Sequence, residues 1–94
     1  MILFSTDALS DIERVRDFLD VRHPTAAGRA LAAIWEVLER LERFPHLGRA
    51  TDDGDIRQII IPFGGSGYIV RYTLLPDDGS LLILRIWHGR EART

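Results

Sequence analysis

An α+β fold is predicted, with a two-helix hairpin packed on one face of an antiparallel sheet and the elements ordered β-α-α-β-β-β. Two observations carry this. The first half holds two stretches with apolar residues at helical spacing, separated by His23-Pro24-Thr25. The second half holds three apolar runs rich in isoleucine, leucine, valine and tyrosine, separated by GGSG and PDDG, both short turn signals. At 94 residues the chain is expected to form one domain, residues 1–94. A domain of that size buries roughly 60–65% of its unfolded surface, enough for one core between two layers.

Ile2 to Phe4 reads as a short strand, and Ser5, Thr6 and Asp7 are three successive N-cap candidates. In the helix that follows, Leu9, Ile12, Val15, Phe18 and Leu19 form the expected apolar stripe, with Asp11, Glu13, Arg14, Arg16, Asp17 and Asp20 turned outward. His23-Pro24-Thr25 ends it, because proline restricts the residue before it, and Thr25 is placed to cap the next helix. From Ala26 to about Phe44, Ala27, Ala30, Leu31, Ile34, Leu38 and Leu41 line one stripe, while Glu36-Arg40 and Glu39-Arg43 are four-residue acid-to-base pairs of the favourable orientation. The short break between the helices leaves room only for an antiparallel hairpin.

FPHLGRATDDGD is a loop by composition, and the runs Ile56 to Phe63, Tyr68 to Leu75 and Leu81 to His88 then form a three-stranded meander. The period of two predicts which side chains face the helices. The wholly apolar sets, Tyr68, Val70, Tyr72 and Leu74 with Leu82, Leu84 and Ile86, are expected inward. The opposite face would gather Arg71, Arg85 and Trp87, with Ile83 beside them; Arg57 is ambiguous because its strand is apolar on both faces further along.

Composition excludes several functions. There is no cysteine, so disulfides and thiolate metal sites are absent and stability must come from packing. All 12 basic side chains are arginine, which rules out any mechanism requiring a lysine ammonium group. A formal charge of -2 supplies no global attraction to phosphate, so anion binding would need a local concentration of arginine. The start MILFSTDALSD lacks the basic and long apolar regions of a signal peptide, and no run approaches a membrane span. A soluble, cytoplasmic protein is expected.

His23 and His46 sit beside prolines with no second ligand at metal spacing, GGSG lies between strands rather than before a helix, and Ser66 lacks a nucleophile elbow. Asp52, Asp53 and Asp55 lack the spacing of a calcium loop. Neither metal nor cofactor is expected. His88 with Arg90 could supply a general acid or base and a charge stabiliser, or simply terminate a strand. The set Arg71, Arg85 and Trp87 could dock a phosphate, a carboxylate or an acidic partner segment, or could keep the sheet soluble. Apolar area beside arginine favours binding.

FSTDALSDIERVRDFL, TAAGRALAAI, FPHLGR, Arg57 opening a strand, GYIVRYTL and IWHGRE, in this order along the whole chain, resemble the RelE/ParE superfamily of bacterial toxins from type II toxin-antitoxin modules, sometimes labelled plasmid stabilisation proteins. The resemblance implies a cognate antitoxin whose C-terminal segment folds on the toxin. RelE-like members are ribosome-dependent endoribonucleases that cut messenger RNA with lysine and arginine side chains and a C-terminal tyrosine or histidine. ParE-like members lack that set and inhibit DNA gyrase, trapping cleaved DNA. This chain has no lysine and no tyrosine after Tyr72, and its closing His-x-Arg resembles the ParE ending. The resemblance therefore implies a gyrase-binding inhibitor rather than an enzyme, with a binding set drawn from Arg57, Arg71, Arg85, Trp87, His88 and Arg90. The alternatives are a ribosome-dependent nuclease acting on mRNA through Arg57, His88 and Arg90, and a degenerate toxin that only binds its antitoxin.

Overall fold

A computed structural model describes residues 1–22, 24–63 and 66–89. The elements are β1 (Ile2–Phe4), α1 (Thr6–Arg22), α2 (Pro24–Arg43), β2 (Arg49–Ala50), β3 (Arg57–Phe63), β4 (Ser66–Leu74) and β5 (Leu81–His88). The fold is α+β, with one five-stranded sheet in the order β1-β5-β4-β3-β2. β3, β4 and β5 form the expected antiparallel meander. The sheet is nevertheless mixed, because β1 lies parallel to β5, pairing Ile2 with Leu81 and Phe4 with Ile83. A parallel pair needs a long crossover, which the intervening elements provide. The segment read as loop also contributes β2, two residues that pair with Arg57 and Gln58.

Local chemistry explains how each helix starts. Ser5 is the N-cap of α1: its Oγ accepts from the Ala8 amide at 3.0 Å and donates to the Leu84 carbonyl at 2.8 Å, tying the helix start to β5. The helices meet more closely than expected. α1 ends at Arg22 and α2 begins at Pro24, where a missing N–H costs nothing, so Thr25 lies inside α2 rather than capping it. His23 lies outside the described residues.

The core joins Ala8, Val15 and Leu19 of α1 and Ala27, Ala30, Ile34, Leu38 and Leu41 of α2 to Ile61, Tyr68, Val70, Tyr72, Leu81, Ile83 and Ile86 of the sheet. The α2 stripe falls where its spacing puts it, with Leu31 half-buried. In α1, Val15 and Leu19 are buried as the spacing predicts and Ile12 packs against the core, but Ala8 and Asp11 complete the buried stripe in place of Leu9 and Phe18, which are 53% and 55% exposed, and Asp11 is only 1% exposed.

In β5 the inward set also differs. Arg71 pairs with Arg85 but Tyr72 pairs with Ile83, so Leu84 is an extra residue, a β-bulge that reverses the alternation. Leu81 and Ile83 are therefore core on one side of the bulge and Ile86 on the other, while Leu82 and Leu84 are only half-buried. No helix among the described residues is long and apolar enough to cross a membrane.

Candidate functional site

The sheet face turned away from the helices carries Gln58 and Ile60 of β3, Ile69 and Arg71 of β4, and Trp87 of β5. Cross-strand register fixes this, since Gln58 opposes Arg71, Ile60 opposes Ile69, and Ile69 opposes Trp87. Ile60 is 61% exposed. Arg71 Nε donates to Gln58 Oε1 at 3.0 Å, and the guanidinium lies 5.0 Å from the Trp87 ring centroid. Stacking and the Gln58 bond orient the group while its side chain stays exposed, so an anion meets a cation whose rotamer freedom is already reduced.

Two expected members of this face are used differently. Ile83 belongs to the core, because the bulge turns it inward. Trp87 keeps its outward register but is only 7% exposed, so it serves as the floor under Arg71 rather than as an open apolar plate.

Arg85 is engaged by α1. Its Nε donates to Asp11 Oδ2 at 2.8 Å and its Nη2 to Asp11 Oδ1 at 3.1 Å, a bidentate pair. Asp11 also accepts from Arg14 Nη1 at 2.7 Å and from the Ile86 amide at 2.8 Å, and Arg14 reaches the Ile86 carbonyl at 3.3 Å. β1 stops opposite Ile83, so Asp11 satisfies the β5 edge where strand pairing ends. Burial pushes the Asp11 carboxyl up, but the Arg85 fork, the Ile86 amide and Arg14 outweigh it and hold the pKa at about 2.

Arg57 lies on the helix-facing side, opposite Tyr72. Its Nη1 donates to the Gly48 carbonyl at 2.7 Å, while the Tyr72 phenol donates to the Pro45 carbonyl at 2.7 Å and accepts from the Gly48 amide at 2.9 Å. Burial pushes the Tyr72 phenol above its usual range, opposed by the Gly48 amide and the Arg57 charge. A side chain at 48 has no room: a Cβ there would stand 2.5 Å from Tyr72 Oη and 3.0 Å from the Gln58 carbonyl. Gly48→Ala is expected to lose about 1–3 kcal/mol in urea denaturation, the usual range for overpacking. An unchanged midpoint would mean that the loop shifts without breaking these bonds.

His88 opposes Tyr68 at the far end of β4, and the two rings meet edge to face at 5.3 Å. Tyr68 and Tyr72 are four residues apart, so Arg57 and His88 are separated by about 13 Å along the strand direction, with β4 between them. Arg90 lies outside the described residues. Among the described residues no group of three or more His, Asp or Glu side chains is placed to hold a metal ion.

Three residues were not singled out from the sequence. Tyr72 carries only a core signal in the sequence, and Gln58 finds its partner Arg71 through strand register. Asp11 did leave a trace, since it completes the spacing of Ala8, Val15 and Leu19, although an acid in that stripe reads as polar surface.

The family model for the ParE toxin of type II toxin-antitoxin system, parDE, matches residues 2–93. Toxin RelE1 of Caulobacter vibrioides is 39% identical over 92 residues, covering 98% of this chain and 96% of that protein. Toxin RelE3 of the same organism is 35% identical over 86 residues, covering 92% and 90%. Among solved structures, a chain of the chromosomal ParDE system from P. aeruginosa superposes with a TM-score of 0.71 at 19% identity, covering 93% of this chain and 92% of that one. A chain of the intact E. coli RelBE toxin-antitoxin complex gives 0.65 at 15% identity, covering 99% and 98%. These two show a shared fold. With the family model spanning nearly the whole chain, this protein belongs to the ParE toxin family of type II toxin-antitoxin systems, within the RelE/ParE superfamily.

Proposed function

We propose that this toxin inhibits DNA gyrase by binding it and stabilising the cleaved-DNA state, a shift of population rather than a reaction performed by the toxin. The observation that carries this reading is the composition of the open sheet face. Arg71 is held ready for an anionic partner by Gln58 and Trp87, and none of the residues that register places around it is a histidine or a carboxylate. Such a surface suits recognition and lacks a general acid or base. The cytoplasmic partner that restrains it is a cognate antitoxin, supported by the toxin-antitoxin systems to which the superposed chains belong.

With purified gyrase, relaxed plasmid and ATP, the antitoxin-free protein is expected to abolish supercoiling and leave trapped linear DNA. Normal supercoiling by a folded, active sample would overturn the proposal. The nuclease reading keeps one support, the RelE names of the two Caulobacter relatives. It requires new RNA ends inside translated codons of expressing cells, and unchanged ends remove it.

A further inference from the structure

Away from the open face, the loop before β2 and the loop before β3 enclose a cleft of about 220 Å³, whose walls include His46, Asp55, Arg57, Tyr72 and Thr73. We propose that this cleft binds a carboxylate group, with Arg57 as its anchor. The proposal is independent of the gyrase reading, since Arg57 and Arg71 stand on opposite faces of the sheet.

Three observations support it. First, Arg57 is half-buried yet makes no ion pair among the described residues; its one partner is the neutral Gly48 carbonyl. A cation withdrawn from water beside a neutral acceptor has unmet electrostatic demand. With Nη1 occupied, Nε and Nη2 remain as the side-on fork that matches the two oxygens of a carboxylate.

Second, the anchor is fixed in advance. The buried Tyr72 phenol bonds both Pro45 and Gly48, and Gly48 in turn receives Arg57, so the loop carrying His46 and the guanidinium hold each other in place. Across the cleft, the Thr73 hydroxyl donates to the Asp55 carbonyl and ties down the other wall. Ligand binding therefore has little left to order.

Third, Asp55 lines the same cleft, and it forms no ion pair with Arg57 among the described residues. An acid near a single guanidinium disfavours a dianionic phosphate more than a singly charged carboxylate. The volume, about 220 Å³, lies below the roughly 300–1,000 Å³ of pockets for drug-sized ligands and suits a small carboxylate-bearing group. The two sources of such a group are a free amino-acid-like molecule and the acidic side chain of a protein partner.

The test is an NMR titration of the intact chain with glutamate, with a short acidic peptide blocked at both ends, and with inorganic phosphate. Amides of Gly48, Asp55 and Thr73 are expected to shift saturably with one or both carboxylate probes, and Arg57→Gln should weaken that binding at least about tenfold. Saturation by glutamate alone assigns a small-molecule ligand; saturation by the peptide assigns a partner's acidic side chain. No saturable shift with either carboxylate probe overturns the proposal, as does phosphate binding equally well or an unchanged titration in Arg57→Gln whose spectrum shows a native fold.

Discussion

Replacing Asp11 with alanine is expected to destabilise the domain by about 3–5 kcal/mol, the range for removing one partner of a buried ion pair. The change leaves Arg85 without its bidentate acceptor, Arg14 without its shortest bond, and the Ile86 amide unpaired at the β5 edge. A domain of this size has about 5–15 kcal/mol in total, so the variant should melt far below the wild type. The ion pair also gives a pH signature. Folding lowers the Asp11 pKa from 3.8 to about 2, so its stabilisation is fully present above pH 3.8 and is lost as pH falls through about 2. The difference corresponds to about 2 kcal/mol. Urea denaturation of wild type and Asp11→Asn across pH 5 to 2 should show the stability gap narrowing by about that amount. A gap that does not change with pH would mean that the carboxylate is not the charged hub of this joint.

Why Asp11 was legible only as surface shows what the sequence carries and what it does not. The α2 stripe, the Ser5 cap and the PDDG turn depend on neighbours within a few positions, and each stands where spacing and turn chemistry put it. Asp11 depends on Arg85 and Ile86, more than seventy positions away, so its burial follows from a contact that local periodicity cannot express. The bulge at Leu84 is hidden for another reason. In LLILRIW both alternations are mostly apolar, so shifting the phase costs no visible mismatch, and only the pairing of Tyr72 with Ile83 reveals it. The parallel placement of β1 beside β5 is likewise a nonlocal fact. Of the candidate site, Arg71 over Trp87 was readable from the period of two, whereas the pairing of Arg85 with Asp11 and the tie of Arg57 to the Gly48 carbonyl were not.

That division separates two arginines that face each other across the β4–β5 ladder. Arg71→Ala is expected to leave the urea midpoint within about 0.5 kcal/mol of wild type, as surface changes do, while weakening binding to the toxin's protein partner about thirtyfold, or ~2 kcal/mol. Among the described residues its exposed guanidinium is bonded only to Gln58 and the Trp87 face, so its removal deprives little of the fold and much of an interface. Arg85→Ala should behave in the opposite way. It strands a buried carboxylate, and the expected loss is about 3 kcal/mol of stability, with binding by the folded fraction little changed. Calorimetric titration with purified gyrase, the partner proposed for this face, beside denaturation of each single variant, separates the two roles. Full-strength binding by Arg71→Ala would make the arginine a solubility device on an exposed sheet. A stable Arg85→Ala that binds weakly would return Arg85 to the interface and leave Asp11 held by Arg14 and the Ile86 amide alone.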